Sequence, residues 1–108
     1  MHWALAHLVG DFIIQNDWMA SRKKQDSWAC FVHVVTYLIP FLLTDLSIWQ
    51  ILIIGVQHYA QDRSHFVEWF MRKTGKASFI EPPMGPWSVI IVDATLHLVF
   101  IAFVDFLM

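Results

Sequence analysis

Histidine and aspartate side chains recur within the apolar stretches of this sequence, spaced so that they share one face of a helix. Residues three or four positions apart lie on the same side of a helix. The residues concerned are His7, Asp11, His33, His58, Asp62, His65, Asp93 and His97. Burying ionised side chains in an apolar medium is costly unless they pair, meet water or bind a metal ion. The spacing therefore predicts a common polar cavity between helices.

A divalent metal ion would account for this combination of residue types. Imidazole nitrogen and carboxylate oxygen both bind zinc, the expected ion, and iron or manganese are the alternatives. The predicted metal ligands are His7, Asp11, His58, Asp62, Asp93 and His97. Cys30 is the only cysteine and stands outside this pattern, which favours an open site over a closed structural zinc site. In an open site, Asp11 or Asp62 could be the catalytic general base if it is not a ligand.

Four further residues are predicted to assist the site. His33 stands alone in its apolar stretch, and we expect it to pack or to hydrogen-bond a ligand. Gln15 continues the predicted polar face of the first helix and could donate a hydrogen bond to a substrate. His65 lies near the predicted end of its apolar stretch. Arg63 could meet a phosphate group, and the simpler interpretation is that it only enforces topology.

The elements that must position these residues are four helices. The predicted segments are residues 1–15, 28–43, 48–73 and 86–108. Pro40 should kink the second segment or loosen its last turn, because proline lacks an amide donor and clashes with the preceding turn. We expect one domain over residues 1–108, in the all-α class, forming a four-helix transmembrane bundle.

Composition favours a membrane environment for these helices. Apolar residues make up 57% and charged residues 15% of the 108 residues, against roughly 45–50% and about 25% in soluble domains. A soluble four-helix bundle with an unusually apolar core is the alternative. The net charge of -2 and the lack of a basic stripe argue against a nucleic-acid partner.

The distribution of basic residues predicts an orientation in the bilayer. Lysine and arginine cluster at residues 22–24 and 72–76, in the first and third connectors between predicted helices. The positive-inside rule then places both connectors in the cytoplasm and both termini outside. We therefore expect a multi-pass protein of the inner (cytoplasmic) membrane, with the polar cavity in the half of the bilayer nearest the cytoplasm.

Several of these stretches resemble a known family. They are the run from His7 to Ala20, the stretch from Trp28 to His33, and the motifs His58-Tyr59-Ala60-Gln61-Asp62 and Asp93-Ala94-Thr95-Leu96-His97. Together they resemble domain of unknown function 3307, a family of small bacterial and phage membrane proteins, over most of the chain. In that family the last motif often reads Asp-Gln-x-x-His, and Ala94 replaces its glutamine here. The resemblance implies a helical membrane protein and supplies no reaction.

Three classes of function fit these observations. The first is a metal-dependent hydrolase acting on a lipid-linked or phosphate-containing substrate, in which the ion would acidify a water molecule. The second is a proton or metal pathway, since chains of His and Asp carry ions through membranes, and with so few helices it would require a homo-oligomer. The third is a non-catalytic membrane interaction or assembly module, whose His/Asp pairs only hold helices together.

Overall fold

The chain folds into helices joined by short turns. The computed structural model describes residues 1–83 and 85–108, except for the side chain of Pro86. Its α-helices are α1 (Trp3–Leu8), α2 (Asp17–Arg22), α3 (Ser27–Leu38), α4 (Ile48–Arg63), α5 (Phe66–Lys73), α6 (Ala77–Ile80) and α7 (Gly85–Leu107). A π-helical turn (Val9–Ile14) continues α1, and a 3₁₀ turn (Ile39–Leu43) continues α3. The predicted all-α class is confirmed for the described residues.

Local sequence explains where three of these helices begin. Asn16, Asp26 and Ser47 directly precede α2, α3 and α4, and each side chain accepts a hydrogen bond from an amide of the first turn. The Oε1 atom of Gln50 accepts a hydrogen bond from the Ser47 amide in return, which completes a capping box. Such caps satisfy amides that have no partner within the helix, and each contributes about 1 kcal/mol.

Two of the predicted segments change character near their ends. Pro40 lies in the 3₁₀ turn that follows α3, so the predicted loosening of that segment is confirmed. The prediction of one helix over residues 48–73 is wrong, because α4 ends at Arg63 and α5 starts afresh at Phe66. The Ser64 hydroxyl accepts from the Phe66 amide, and the Lys24 ammonium donates to the Ser64 carbonyl oxygen. These bonds satisfy backbone groups that a continuous helix would have paired.

One described helix has the length and composition of a membrane span. Trp87–Leu107, in α7, has 21 residues and a mean hydropathy of 2.2, which gives a length of roughly 31 Å at helical rise. Trp3–Ile14 and Ser27–Leu43 are also apolar but are shorter. Across residues 1–83 and 85–108, length and composition therefore support one span and not the four that were predicted.

The packed helices form an apolar layer and a polar layer. Helix α3 packs on α4, α4 packs on α7, and α1 touches α7. The apolar layer consists of Ala6, Tyr37, Phe41, Ile51, Ile54, Ile101 and Val104. Both chain termini lie at this end, where the Trp3 indole donates to Asp105 and the Met1 ammonium donates to the Leu43 carbonyl oxygen. The polar layer lies at the other end, next to the connector between α2 and α3.

Candidate metal centre

Four side chains bring one ligand atom each to the centre of the polar layer. Asp11 comes from the π-helical turn, His33 from α3, and His58 and Asp62 from α4. The Nε2 atoms of His33 and His58 and the Oδ2 atom of Asp62 are each 3.0 Å from one another. Asp11 Oδ1 lies 3.2 Å from His33 Nε2 and 3.4 Å from His58 Nε2. We refer to these four residues as the quartet.

The quartet has the spacing of ligands around one tetrahedral metal ion. Zinc binds imidazole nitrogen and carboxylate oxygen at about 2.0–2.1 Å, which places tetrahedral ligands roughly 3.3 Å from one another. Five of the six ligand-to-ligand distances run from 3.0 to 3.4 Å, and the sixth, between Asp11 and Asp62, is within 4.8 Å. All four residues are buried, Asp11 being the most exposed at 4%. The donor set therefore fits a cation of the size of zinc.

The negative charge of the quartet also favours binding of a cation. Asp11 and Asp62 place two carboxylates in the interior, and a buried charge that lacks compensation costs several kcal/mol. Asp11 Oδ1 has no hydrogen-bond partner within the part of the chain that the structure describes. A divalent ion would neutralise both carboxylates and give Asp11 Oδ1 a partner.

Lys23 contacts the quartet from the connector that follows α2. Its Nζ atom lies 3.1 Å from Asp62 Oδ2, and 14% of its side chain is exposed. Burial alone would lower the pKa of Lys23, but the carboxylates of Asp62, Asp11 and Asp93 together outweigh it and hold that pKa above its ordinary value. Lys23 therefore carries its positive charge at the edge of the site.

His97 lies beside the quartet, in an orientation that a chain of amides determines. Its Nε2 atom lies 3.1 Å from Asp62 Oδ1 and 3.6 Å from Asp93 Oδ1. Gln61 must donate through Nε2, because it faces the Asp93 backbone carbonyl at 3.0 Å, which can only accept. Its Oε1 then accepts from Gln57 Nε2 at 2.8 Å, and Gln57 Oε1 accepts from His97 Nδ1 at 3.3 Å. The proton of neutral His97 is therefore on Nδ1, and the Nε2 lone pair points at the carboxylates.

His7 lies next to the quartet and not within it. Its Nδ1 atom is 2.8 Å from the Tyr37 hydroxyl. Its Nε2 atom is 3.9 Å from Asp11 Oδ2 and has no hydrogen-bond partner in the described chain, although the residue is fully buried. His7 and Asp11 therefore lie close to each other, as their spacing of four residues predicted, but they do not form a hydrogen bond.

The π-helical turn determines where Asp11 lies. Gly10, within this turn, packs directly on α3, and a Cβ atom there would come within 2.7 Å of the carbonyl oxygen and Cδ1 of Tyr37. A glycine is therefore required for this approach, and it brings Asp11 against His33 and His58. Turns of this type are rare and are often found at functional sites.

A small surface cavity lies beside the site. Its volume is about 100 Å³, and it is lined by Lys23, Lys24, His65, Val67, Glu68, Val89, Ile90 and Asp93. Lys23 and Asp93 both line this cavity and contact the buried residues, and their side chains are 14% and 18% exposed. The cavity therefore borders two residues, Lys23 and Asp93, that contact the buried histidines and aspartates.

The structure assigns His33 and His65 positions that differ from the sequence-based expectation. His33 was expected to support a ligand from outside, but its Nε2 atom is one corner of the quartet. His65 was expected to share a face with Asp62, but the chain leaves the helix at Ser64, and His65 is exposed at the cavity. Spacing along one helix predicted the pairs but not which residues of other helices would join them.

The remaining predicted residues hold backbone segments or belong to the quartet. Arg63 donates to the Ser27 hydroxyl and to the Lys24 carbonyl oxygen, so it anchors the connector between α2 and α3. Gln15 donates to the Asp11 carbonyl oxygen at 3.3 Å. Asp11 and Asp62, the two expected general bases, are both members of the quartet. An oxygen atom that binds a metal ion there is not free to abstract a proton.

Comparison with known proteins identifies the family and supplies no activity. A family model described as "Protein of unknown function (DUF3307)" matches residues 1–108, which is the whole chain. The chain therefore belongs to that family, as the resemblance of its motifs indicated. No curated protein and no solved structure matches the chain.

Proposed function

We propose that this member of the DUF3307 family is a metal-dependent hydrolase whose ion, most simply zinc, is held by the quartet. The observation that carries the proposal is the convergence of four buried ligand atoms, with five of their six separations at 3.0 to 3.4 Å. A divalent ion at that position would polarise a substrate oxygen and acidify water. The quartet would hold the ion, and the surrounding helices would exclude bulk solvent everywhere except at the cavity.

The cavity favours a substrate that carries a phosphate group. The Lys23 ammonium lines it and would attract an anion toward Asp62 and the ion. Its volume of about 100 Å³ is far below the roughly 300 Å³ at which pockets for drug-sized ligands begin. A phosphate head group fits this space, whereas the rest of an amphiphilic substrate would remain outside, next to Val89 and Ile90. We therefore infer hydrolysis of a phosphate ester that has an apolar part.

We infer that the protein carries out this reaction in a membrane, as a four-helix bundle of α1, α3, α4 and α7. Large apolar side chains are widely exposed, including Trp49 at 69%, Val56 at 73% and Phe106 at 85%. Soluble monomers rarely expose a continuous apolar surface of this kind. Local thinning of the bilayer would accommodate the helices that are shorter than a full span. In such a bundle, the lysines of the connector between α2 and α3 would favour a cytoplasmic position for the cavity by the positive-inside rule.

The layered core favours a hydrolase over an ion pathway. The His/Asp layer occupies one end of the bundle, and the apolar layer around Tyr37, Phe41 and Ile54 fills the other. A proton or metal ion that crossed a single chain would have to pass this apolar layer, where the described residues offer no second cluster of ionisable groups. The cavity opens at the polar end only, as a hydrolase requires.

Phosphate release from a defined lipid tests the proposal. The full chain, loaded with zinc in mild detergent, would be incubated with micelles of phosphatidic acid and, separately, with glycerol phosphate. We expect zinc-dependent release of phosphate from the lipid, abolished by a chelator and reduced on the order of 100-fold or more in His58→Gln, since loss of one group that stabilises a transition state has that effect. His2→Gln, the same substitution at an exposed residue, should retain full activity.

Two results would contradict parts of this proposal. Phosphate release that persists in His58→Gln at the wild-type rate would mean that the quartet is not the reaction centre. Equal rates on glycerol phosphate and on the lipid would remove the inference that the substrate has an apolar part.

A further inference from the structure

We propose that the site holds a second divalent ion beside the first, bound by His97, Asp93 and Asp11 and sharing the Asp62 carboxylate with the quartet. The inference rests on the proposed function, because the second ion would lie against the first. It defines the site as a dinuclear centre and assigns to α7, which contributes nothing to the quartet, two of the metal ligands.

The first observation is the convergence of a second group of ligand atoms. One ligand atom from each of Asp11, Asp93 and His97 lies within 4.8 Å of the others. His97 Nε2 is 3.6 Å from Asp93 Oδ1 and 3.1 Å from Asp62 Oδ1. Ligands at about 2.0–2.1 Å from one ion are separated by roughly 3.0–4.2 Å, depending on the coordination angle. The two measured distances fall within this range.

The second observation is the set of hydrogen-bond partners around His97. The chain of amides through Gln61 and Gln57 places the proton of a neutral imidazole on Nδ1. The Nε2 atom then faces carboxylate oxygens of Asp62 and Asp93 at 3.1 and 3.6 Å, a position that suits either a second proton on the imidazole or a metal cation. Histidines that bind metals commonly have their other nitrogen held in this way by an outer partner. Gln57 is thus a positioning residue for His97.

The third observation is that Asp62 faces both groups at once. Its Oδ2 atom is 3.0 Å from His33 and His58, while its Oδ1 atom is 3.1 Å from His97. One carboxylate can therefore place one oxygen on each of two ions. Ions bridged in this manner lie about 3.5–4 Å apart in two-metal hydrolytic sites, where they stabilise the attacking and the leaving oxygen of a phosphoryl group.

The buried His7 imidazole lies beside Asp11 and has one ring nitrogen without a hydrogen-bond partner among the described residues. Its Nε2 atom has no hydrogen-bond partner among the described residues and is 3.9 Å from Asp11 Oδ2. The Tyr37 hydroxyl holds its other nitrogen at 2.8 Å. His7 can therefore complete the coordination of the second ion from the side of Asp11.

Charge balance connects the second ion with the substrate. One divalent ion together with Lys23 neutralises the carboxylates of Asp11, Asp62 and Asp93. A second divalent ion leaves the site with two positive charges, which a phosphate monoester dianion would balance. The dinuclear form of the site therefore selects a doubly charged phosphate over a singly charged diester.

Manganese binding tests this inference directly, without relying on activity. The full chain would be stripped of metal with a chelator and titrated with Mn²⁺ alone, with bound metal per chain measured by mass spectrometry and spin coupling by electron paramagnetic resonance. We expect two equivalents of manganese and a spin-coupled spectrum in the wild type. Asp93→Asn and His97→Gln should each bind one equivalent and show an uncoupled spectrum.

Matched variants and the possible outcomes separate this inference from the proposed function. Asp105→Asn, on the same helix, and His2→Gln should both retain two equivalents, and circular dichroism would verify that each variant is helical. A wild type that binds one equivalent, lost in His58→Gln but retained in His97→Gln, would overturn the second ion and leave the first. Two equivalents without spin coupling would overturn the shared carboxylate. No bound manganese would overturn the dinuclear centre, while zinc-dependent phosphate release tests the first ion separately.

Discussion

The Nε2 atoms of His33 and His58 face each other at 3.0 Å in the centre of the bundle. Both also lie 3.0 Å from the same oxygen atom of Asp62. The two nitrogens can share only one proton along the line between them, so a pair of neutral histidines cannot satisfy all three contacts in the best geometry. A single cation between the three atoms satisfies them together.

Substitution of either facing histidine should release the bound metal. We expect the purified wild type to bind zinc at close to one equivalent or more, and His33→Gln or His58→Gln to lower the affinity by more than the roughly 10–100-fold that loss of an outer partner causes. Mass spectrometry of bound metals after dialysis measures this. Zinc retained by both variants at the level of the His2→Gln control would count against the quartet.

Bound zinc should stabilise the fold, because the quartet joins the π-helical turn, α3 and α4. At a free zinc concentration of 100 times its dissociation constant, the free energy of unfolding should rise by about 2.7 kcal/mol. Thermal melts in detergent with and without a chelator measure the difference. Asp62→Ala should melt at the same temperature in both conditions, and a zinc-dependent shift in that variant would place the binding elsewhere.

Removal of the Lys23 charge should affect the metal and the substrate in opposite directions. Lys23 Nζ lies 3.1 Å from the Asp62 oxygen that belongs to the quartet, so Lys23→Gln removes a cation that repels the metal ion. We expect zinc affinity to be retained or increased, while KM for the phosphate lipid rises roughly 10- to 150-fold, as loss of a charge-assisted hydrogen bond of about 1.5–3 kcal/mol implies.

The exposed Lys73 provides the control for this effect, because Lys73→Gln removes the same charge away from the cavity. Loss of zinc together with activity in Lys23→Gln would show that Lys23 supports the fold of the site and does not meet the substrate.

The close approach at Gly10 should be sensitive to one methyl group. The Cβ of Gly10→Ala would lie 2.7 Å from the backbone carbonyl oxygen of Tyr37, which cannot rotate away. We expect destabilisation of about 1–3 kcal/mol, typical of overpacking, together with weaker zinc binding, because Asp11 would move. Gly55→Ala is the matched comparison, since its nearest neighbour is a methyl group of Leu38, and equal effects of the two variants on zinc would contradict the role of the turn.

The chain of amides should matter for the second ion and not for the first. Gln57→Leu removes the acceptor of the His97 Nδ1 proton while preserving side-chain volume. We expect the affinity of the second manganese ion to fall roughly 10–100-fold, with the first unchanged, in the titration described above. Gln25→Met, an exposed glutamine replacement, controls for general effects. Loss of both ions in Gln57→Leu would indicate a wider structural defect.

Sequence periodicity predicted the His/Asp pairs that lie on one helix, but not the residues of other helices that contact these pairs. His58–Asp62 and Asp93–His97 are close in space, as a spacing of four residues on a helix requires. His33 has no partner of this kind on α3, so periodicity could not identify it. Its position in the quartet arises from how α3 packs on α4, which is a tertiary contact.

The local irregularities of the chain were predicted in part. Pro40 carries its own signal, because its ring excludes an α-helical hydrogen bond. The break after Arg63 depends instead on hydrogen bonds of Ser64 with Lys24 and Phe66, and one of these partners is distant in sequence. The π-helical turn has only Gly10 as a sequence signal, and a helical glycine alone does not distinguish close packing from a weak point in the helix.

The π-helical turn has a consequence for insertions and deletions. It accommodates within Val9–Ile14 a wider path than an α-helix of the same residues would follow. A deletion of one residue there would return the turn to α-helical geometry and leave the flanking segments in register, because a π-helical turn holds one residue more than an α-helical turn. His7 and Asp11 would then be three residues apart and would still share one face. This segment therefore tolerates the loss of a residue that an uninterrupted α-helix would not.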